Sequence, residues 1–350
     1  MKAKVLFLLG VVVCSCSQER TEIVFDDKEL NETSPEDIMI EHHKTDVNFV
    51  RPTMMDFVLD SLLVIFDNKS GDEVCFIMNK QGEKKASFGR KGRSREELIQ
   101  AKGISISLNR DSVYVYDSQL MKFVGFDLKK ELAGVEYEKK VLETGNVAEK
   151  NNLGATWIMD ARYLTDNQFI GFGNDANRLI SVSGKTVTET YQEFPNIDAD
   201  QETNWSIWNN MSKFCVSPDK EKLVISTYIG SMIQIFNISG GIRPKALKTF
   251  YKPMYSYAQG ATPKCVISNE QTIFGSQSLY TCPKSFLVNI AGTNHKFDEI
   301  LFRYDYDGKI QTSYNIGRVP MCMCLDDSGN LYFLADDKDA EEIQLYTGTL

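Results

Sequence analysis

The side chains in this sequence that could carry chemistry are few, and their spacing does not suit catalysis. His42, His43 and His295 are the only histidines. None stands in a His-Glu-x-x-His spacing, and no Gly-x-Ser-x-Gly elbow occurs, so a zinc-protease site or a histidine-based triad has no support. His42-His43 beside Glu41 reads as exposed tether. The run Asn196-Ile197-Asp198-Ala199-Asp200-Gln201-Glu202 alternates oxygen-bearing side chains as a calcium loop does. A loop starting at Asn196 would, however, need Gly and Glu where Gln201 and Ile207 stand, so a solvated acidic loop is expected. Phe88-Gly89-Arg90-Lys91-Gly92-Arg93-Ser94-Arg95 resembles a phosphate loop in composition only; its glycine spacing fails, and no Lys-Ser/Thr follows. It reads as a solvated connection. Cys75, Cys215, Cys265, Cys282, Cys322 and Cys324 lie mostly in strand-like runs, where a thiol acts as a small hydrophobe. Cys322 and Cys324 would share a strand face, but no second pair or nearby histidine completes a four-ligand site. No catalytic or metal residue is assigned.

The one residue with a clear chemical fate is Cys16. Lys2 and Lys4 precede the apolar run Val5-Leu6-Phe7-Leu8-Leu9-Gly10-Val11-Val12-Val13, and Val13-Cys14-Ser15-Cys16 follows at once. That run is shorter than the roughly 20 residues a bilayer span needs, and the order resembles a bacterial lipoprotein signal, with Cys16 as the lipidated residue. Cys14 competes less well, because Val13 stands where a small residue is wanted. A multiply acylated cysteine holds a protein on a membrane without a transmembrane helix, and no other segment is apolar enough to span. Residues 1–16 are therefore expected to be signal and lipobox, residues 17–36 a flexible tether, and residues 37–350 a folded domain.

Composition limits the partners. The 350 residues are 42% hydrophobic and 25% charged, with a formal net charge of −9, and loss of Lys2 and Lys4 makes the mature chain more acidic still. Such a surface repels nucleic acid and anionic headgroups. The best candidates for ligand contact are aromatic residues in long insertions: Trp205 and Trp208 in one, Tyr251, Tyr255 and Tyr257 in another. Exposed rings on connections at one end of a scaffold can stack on a sugar or clamp a peptide.

What must position those insertions is a repeated hairpin cue of polar turn and alternating strand. It begins at Leu62, Ser112, Gln168, Lys222, Thr272 and Asn330, a spacing of about 50 to 58 residues, the range of propeller blades. Four short strands separated by Asp/Gly turns fit each unit. The sequence therefore predicts an all-β, six-bladed β-propeller with four-stranded antiparallel blades. Blade five is expected to use residues 264–268 and 272–274 and then make a long excursion before Ile300. Blade six is one strand short at the C-terminus, and residues 37–41 or 46–49 could close it, which would also cover a raw edge.

The segments Leu325-Asp326-Asp327-Ser328-Gly329-Asn330-Leu331-Tyr332 and Phe302-Arg303-Tyr304-Asp305-Tyr306-Asp307-Gly308 resemble NHL- and TolB-like six-bladed propellers. With the lipobox, the chain is similar to TolB-like propeller lipoproteins of Gram-negative gut anaerobes, a group with no agreed activity. The resemblance implies a monomeric binding module, more a binder than an enzyme, lipid-anchored in the cell envelope on the periplasmic or surface face of the outer membrane. Its partner would be an envelope protein, a peptide or a glycan, and no cofactor is predicted. The alternative is a calcium-dependent propeller hydrolase or lactonase with a carboxylate cage in its central channel.

Overall fold

The computed structural model describes residues 24–350 except 26–27, 145–157, 166, 174–177, 192–211, 229–231, 250–255, 258–264, 267–272, 294 and 338–340. The chain enters through β1 (Val24–Phe25), α1 (Lys28–Glu32), β2 (Glu36–Asp37) and β3 (Glu41–His43). Blade one then follows as β4 (Met54–Val58), β5 (Leu62–Phe66), β6 (Glu73–Asn79) and β7 (Lys84–Arg90). Blade two is β8 (Ala101–Ile106), β9 (Ser112–Asp117), β10 (Lys122–Asp127) and β11 (Lys140–Glu143), with α2 (Leu128–Ala133) before its last strand. Blade three is β12 (Ile158–Tyr163), β13 (Gln168–Gly173), β14 (Leu179–Ser183) and β15 (Thr186–Tyr191); blade four is β16 (Ser212–Val216), β17 (Lys222–Thr227), β18 (Met232–Asn237) and β19 (Arg243–Thr249). After the two-residue strands β20 (Ser256–Tyr257) and β21 (Cys265–Val266), blade five comprises β22 (Ile273–Thr281), β23 (Ser285–Thr293), β24 (Ile300–Asp305) and β25 (Ile310–Asn315). Blade six is β26 (Cys322–Leu325), β27 (Asn330–Asp337) and β28 (Glu342–Thr349), completed by β3. The fold is the expected six-bladed β-propeller of four-stranded antiparallel sheets.

The middle strands are continuous apolar runs because both faces of each blade are covered by neighbours. Leu63, Val64, Ile65 and Phe66 of β5 are all buried. A separate apolar cluster fills the seam between blades one and two, two and three, three and four, and four and five, and a larger one joins five, six and one. Cys75, Cys282, Cys322 and Cys324 are buried free thiols within this packing and Cys215 is partly buried, in keeping with the small-hydrophobe reading. The basic connection after β7 is largely solvated, with Arg90, Arg93 and Arg95 exposed.

Three expectations change. The segment before the propeller is not a free tether where it is described: β1 runs parallel to β19, β2 runs parallel to β25, and Leu30 of α1 is buried in the seam of blades four and five. Outer strands of open sheets leave backbone groups unpaired, and this segment covers three of those edges in succession. His42 and His43 are likewise not tether. They lie in β3, paired with Tyr346 and Leu345, and His43 Nε2 lies 3.0 Å from Thr347 Oγ1. Ring closure by an N-terminal strand is thus met, but by residues 41–43 rather than by the expected 37–41 or 46–49, and residues 36–37 pair with blade five instead. Finally, blade five is displaced: residues 265–266 belong to the small β20–β21 pair, and Ile273 opens the innermost strand, not the second. Buried Ser276 and Ser278 and a bulge between Ser276 and Leu279 interrupt the alternation of β22, so that strand does not read as one.

Candidate functional site

The innermost strands β4, β8, β12, β16, β22 and β26 all line one central cavity of about 530 Å³. They run in the same direction, so each begins at one end of the channel and finishes at the other. Met54 at the start of β4 pairs with Phe66 at the end of β5, which places the turn after β5 at the same end as the blade-to-blade connections. This end is the mouth.

Two buried carboxylates shape it. Asp67, directly after β5, accepts from the backbone amides of Val50 and Arg51 at 2.8 Å through Oδ2 and from Lys69 N at 2.8 Å through Oδ1. Asp117, at the end of β9, likewise accepts from Ile99 N at 2.5 Å and Gln100 N at 2.9 Å, and from Gln119 and Leu120 through its other oxygen. Each aspartate therefore ties the connection arriving from the preceding blade to the second strand of its own. The start of each inner strand, and the side chains there, are fixed in place.

The opposite end is crossed by polar contacts between non-adjacent blades. Arg110 Nη1 lies 2.8 Å from Asp327 Oδ1, Lys220 Nζ donates to Ile106 O at 2.9 Å, and the Tyr280 hydroxyl donates to Asp56 Oδ1 at 3.2 Å. Burial raises the pKa of Asp56, with Lys220 and Arg110 pulling the other way. Burial also pushes the Tyr280 phenol up and lowers Lys220.

The charges on the wall are unequal. Among the described residues, Arg51, Lys69, Lys91, Lys102, Arg162, Lys213 and Lys220 line the cavity, against Asp56 and Asp160. Arg162, buried at 6% exposure, bridges blades three and four by lying over the Phe214 ring at 4.1 Å. Its Nη1 donates to Asp160 Oδ1 at 2.6 Å, while its Nε has no hydrogen-bond partner among the described residues. Gly103 makes room for it: a Cβ there would stand 2.8 Å from Arg162 Nη1 and 2.8 Å from Met54 Sδ. Among the described residues, Lys213 Nζ donates to the Met321 carbonyl, at 3.4 Å. Burial lowers its pKa, with Cys322 and Cys215 opposing and Arg51 reinforcing the shift. Burial pushes those thiols up, Cys215 to about 11 and Cys322 to about 12.

Trp205, Trp208, Tyr251 and Tyr255 lie outside the described residues, and for Tyr257 only the backbone is described, in β20. β15 and β19 end at the mouth, and β16 and β22 begin there. The acidic run 196–202 also lies outside the described residues. Among the described residues, no group of three or more His, Cys, Asp or Glu is placed to hold a metal. Two wall carboxylates among seven cations do not fit a calcium cage. His295 sits away from the channel, 2.8 Å from Asp298. Sequence reasoning missed the channel residues, although a signal was available: Asp56, Lys102, Asp160, Arg162 and Lys213 are charged positions inside runs that become innermost strands.

A family model described as a 6-bladed beta-propeller (DUF5128) matches residues 44–141. No curated protein matches the sequence. Among solved structures, a Bacteroides fragilis protein named as exported superposes with a TM-score of 0.55 at 11% identity, over 93% of this chain and 99% of that one. A member of the DUF4221 family from Bacteroides vulgatus does so with a TM-score of 0.50 at 9% identity, over 91% and 97%. A luciferin-regenerating enzyme gives 0.51 at 11% identity, over 89% and 95%. At these identities the likeness is one of fold.

Proposed function

We propose that this chain is a TolB- or NHL-like lipoprotein, anchored through Cys16 in the envelope of a Gram-negative cell, that works as a binding module. Its ligand enters the central channel from the mouth. The observation that carries this reading is the cavity itself, about 530 Å³ and walled by all six blades, a size that suits a small molecule or the end of a peptide or glycan. The aspartate ties at the mouth and the cross-channel contacts at the far end give it a preorganised wall. Export is supported by the N-terminal pattern and by the name of the Bacteroides fragilis neighbour. Among the described residues no helix is long and apolar enough to cross a membrane.

The test uses full-length chain purified from membranes in detergent. Native mass spectrometry after incubation with envelope extract should reveal a bound small molecule. Thr53→Trp, which fills the mouth from a half-buried position, should remove it without lowering the melting temperature. Retention of the molecule in that variant would overturn the channel reading. Labelled palmitate should enter the wild type and not Cys16→Ala; equal labelling would overturn the anchor. A melting temperature that rises with calcium and falls on chelation would favour the hydrolase alternative.

A further inference from the structure

We infer that the channel takes an anionic ligand, an organic molecule bearing a carboxylate or phosphate that docks against Lys213 at the mouth. This rests on the channel being the binding site. The chain as a whole carries −9, so its outer surface repels anions, yet its cavity wall is strongly cationic. Asp160 is engaged by Arg162, and Asp56 sits at the far end among Tyr280, Lys220 and Arg110. The two carboxylates at the mouth, Asp67 and Asp117, are taken up by backbone amides, and neither forms an ion pair with Lys213. Lys213 projects there from β16, with Cys215 on its own strand, Cys322 across on β26 and Arg51 ahead of β4. It forms no ion pair with a described residue, and its hydrogen bond among them is a long one to a carbonyl.

A half-buried cation without a described counter-ion is costly to the folded chain, so an anion arriving in the cavity gains from a charge already partly stripped of water. Low-dielectric walls also focus the field of clustered cations, which raises the local concentration of anions. On the same cavity wall, Arg162 offers a nine-tenths-buried Nε with no hydrogen-bond partner among the described residues. Met54, Ile104, Phe214 and Met323 supply apolar surface for the body of the ligand. Cation and apolar wall together suit an organic acid or phosphate ester better than a bare inorganic ion.

Isothermal titration at constant ionic strength tests this, with citrate, glucose 6-phosphate and inorganic phosphate as probes and glucose as the neutral control. Citrate or glucose 6-phosphate should bind and glucose should not; which of the two binds separates carboxylate from phosphate recognition. Lys213→Met should weaken binding about 10- to 100-fold, the loss expected for one charge-assisted bond. The same change should leave the unliganded melting temperature equal or higher, because it removes a half-buried charge that no described carboxylate pairs with. A merely structural lysine would instead lower it. Anion binding undiminished in Lys213→Met overturns the inference. So does a channel ligand from envelope extract that proves neutral and binds the variant as it binds the wild type, and that result leaves the channel reading intact.

Discussion

Asp326 closes the ring, and its removal gives the sharpest check on how the ring is held. It lies in the turn between β26 and β27 of blade six and is 7% exposed. Its Oδ2 accepts from Lys80 Nζ of blade one at 2.8 Å, from the Tyr332 hydroxyl at 3.1 Å and from Asn330 Nδ2 at 3.0 Å. Its Oδ1 accepts from the amides of Ser328 at 3.0 Å and Asn330 at 2.9 Å. The Ser328 and Asn330 groups can turn to water when the carboxylate is lost, and Lys80 is about a third exposed, so the five contacts do not sum. Tyr332, buried at 5%, loses an acceptor that water cannot readily replace. Asp326→Ala should therefore destabilise by about 3 kcal/mol, and Asp326→Asn, which keeps the shape and one acceptor, by about 1 kcal/mol. For a domain of this size the alanine variant should melt about 6 °C lower, at about 2 °C per kcal/mol.

The pH dependence is fixed in sign. Burial opposes the charged carboxyl of Asp326, but hydrogen bonds from Lys80 and Asn330 outweigh it and hold the carboxyl well below the usual carboxylate range. A depressed folded value stabilises above the unfolded pKa of about 3.9 and is lost as the pH falls below it. The gap between wild type and Asp326→Ala in chemical denaturation should thus be full at neutral pH and shrink through acid. A variant within 1 kcal/mol of wild type at neutral pH, or a gap that widens in acid, would refute the reasoning.

A chain beginning at Lys44 loses the β3–β28 ladder and the cover of Ile38 and Ile40 over the seam of blades five, six and one. It should be about 3 to 5 kcal/mol less stable by urea titration; an unchanged midpoint would show that blade six needs only three strands. Asp117→Ala strands four backbone amides at a fully buried position and should cost about 3 kcal/mol. Hydrogen exchange should show Ile99 and Gln100 losing protection, and slow exchange retained at both would remove the aspartate tie from the account of the mouth.

Strand number, blade number and the need for a closing strand are local properties, and the sequence alone determined them. Asp60-Ser61 before Leu62 and Gly329 before Asn330 mark second strands because turn chemistry and alternation act over a few residues. The same locality misplaced blade five, where Thr272-Ile273-Phe274 imitates the cue although Ile273 opens an innermost strand with buried serines. Residues 24–37 show only short strand character, around Val24-Phe25 and from Asp37 on, and nothing local says where these strands dock, since their partners are the edges of β19 and β25, far off in the chain. The channel's charges could be picked out singly in the sequence, but their gathering into one cavity was legible only in space. Lys102, Arg162 and Lys213 stand on three different blades, each an isolated charge in an apolar run. They share one cavity only because ring closure points every innermost strand at the same axis, a relation that chain spacing does not encode.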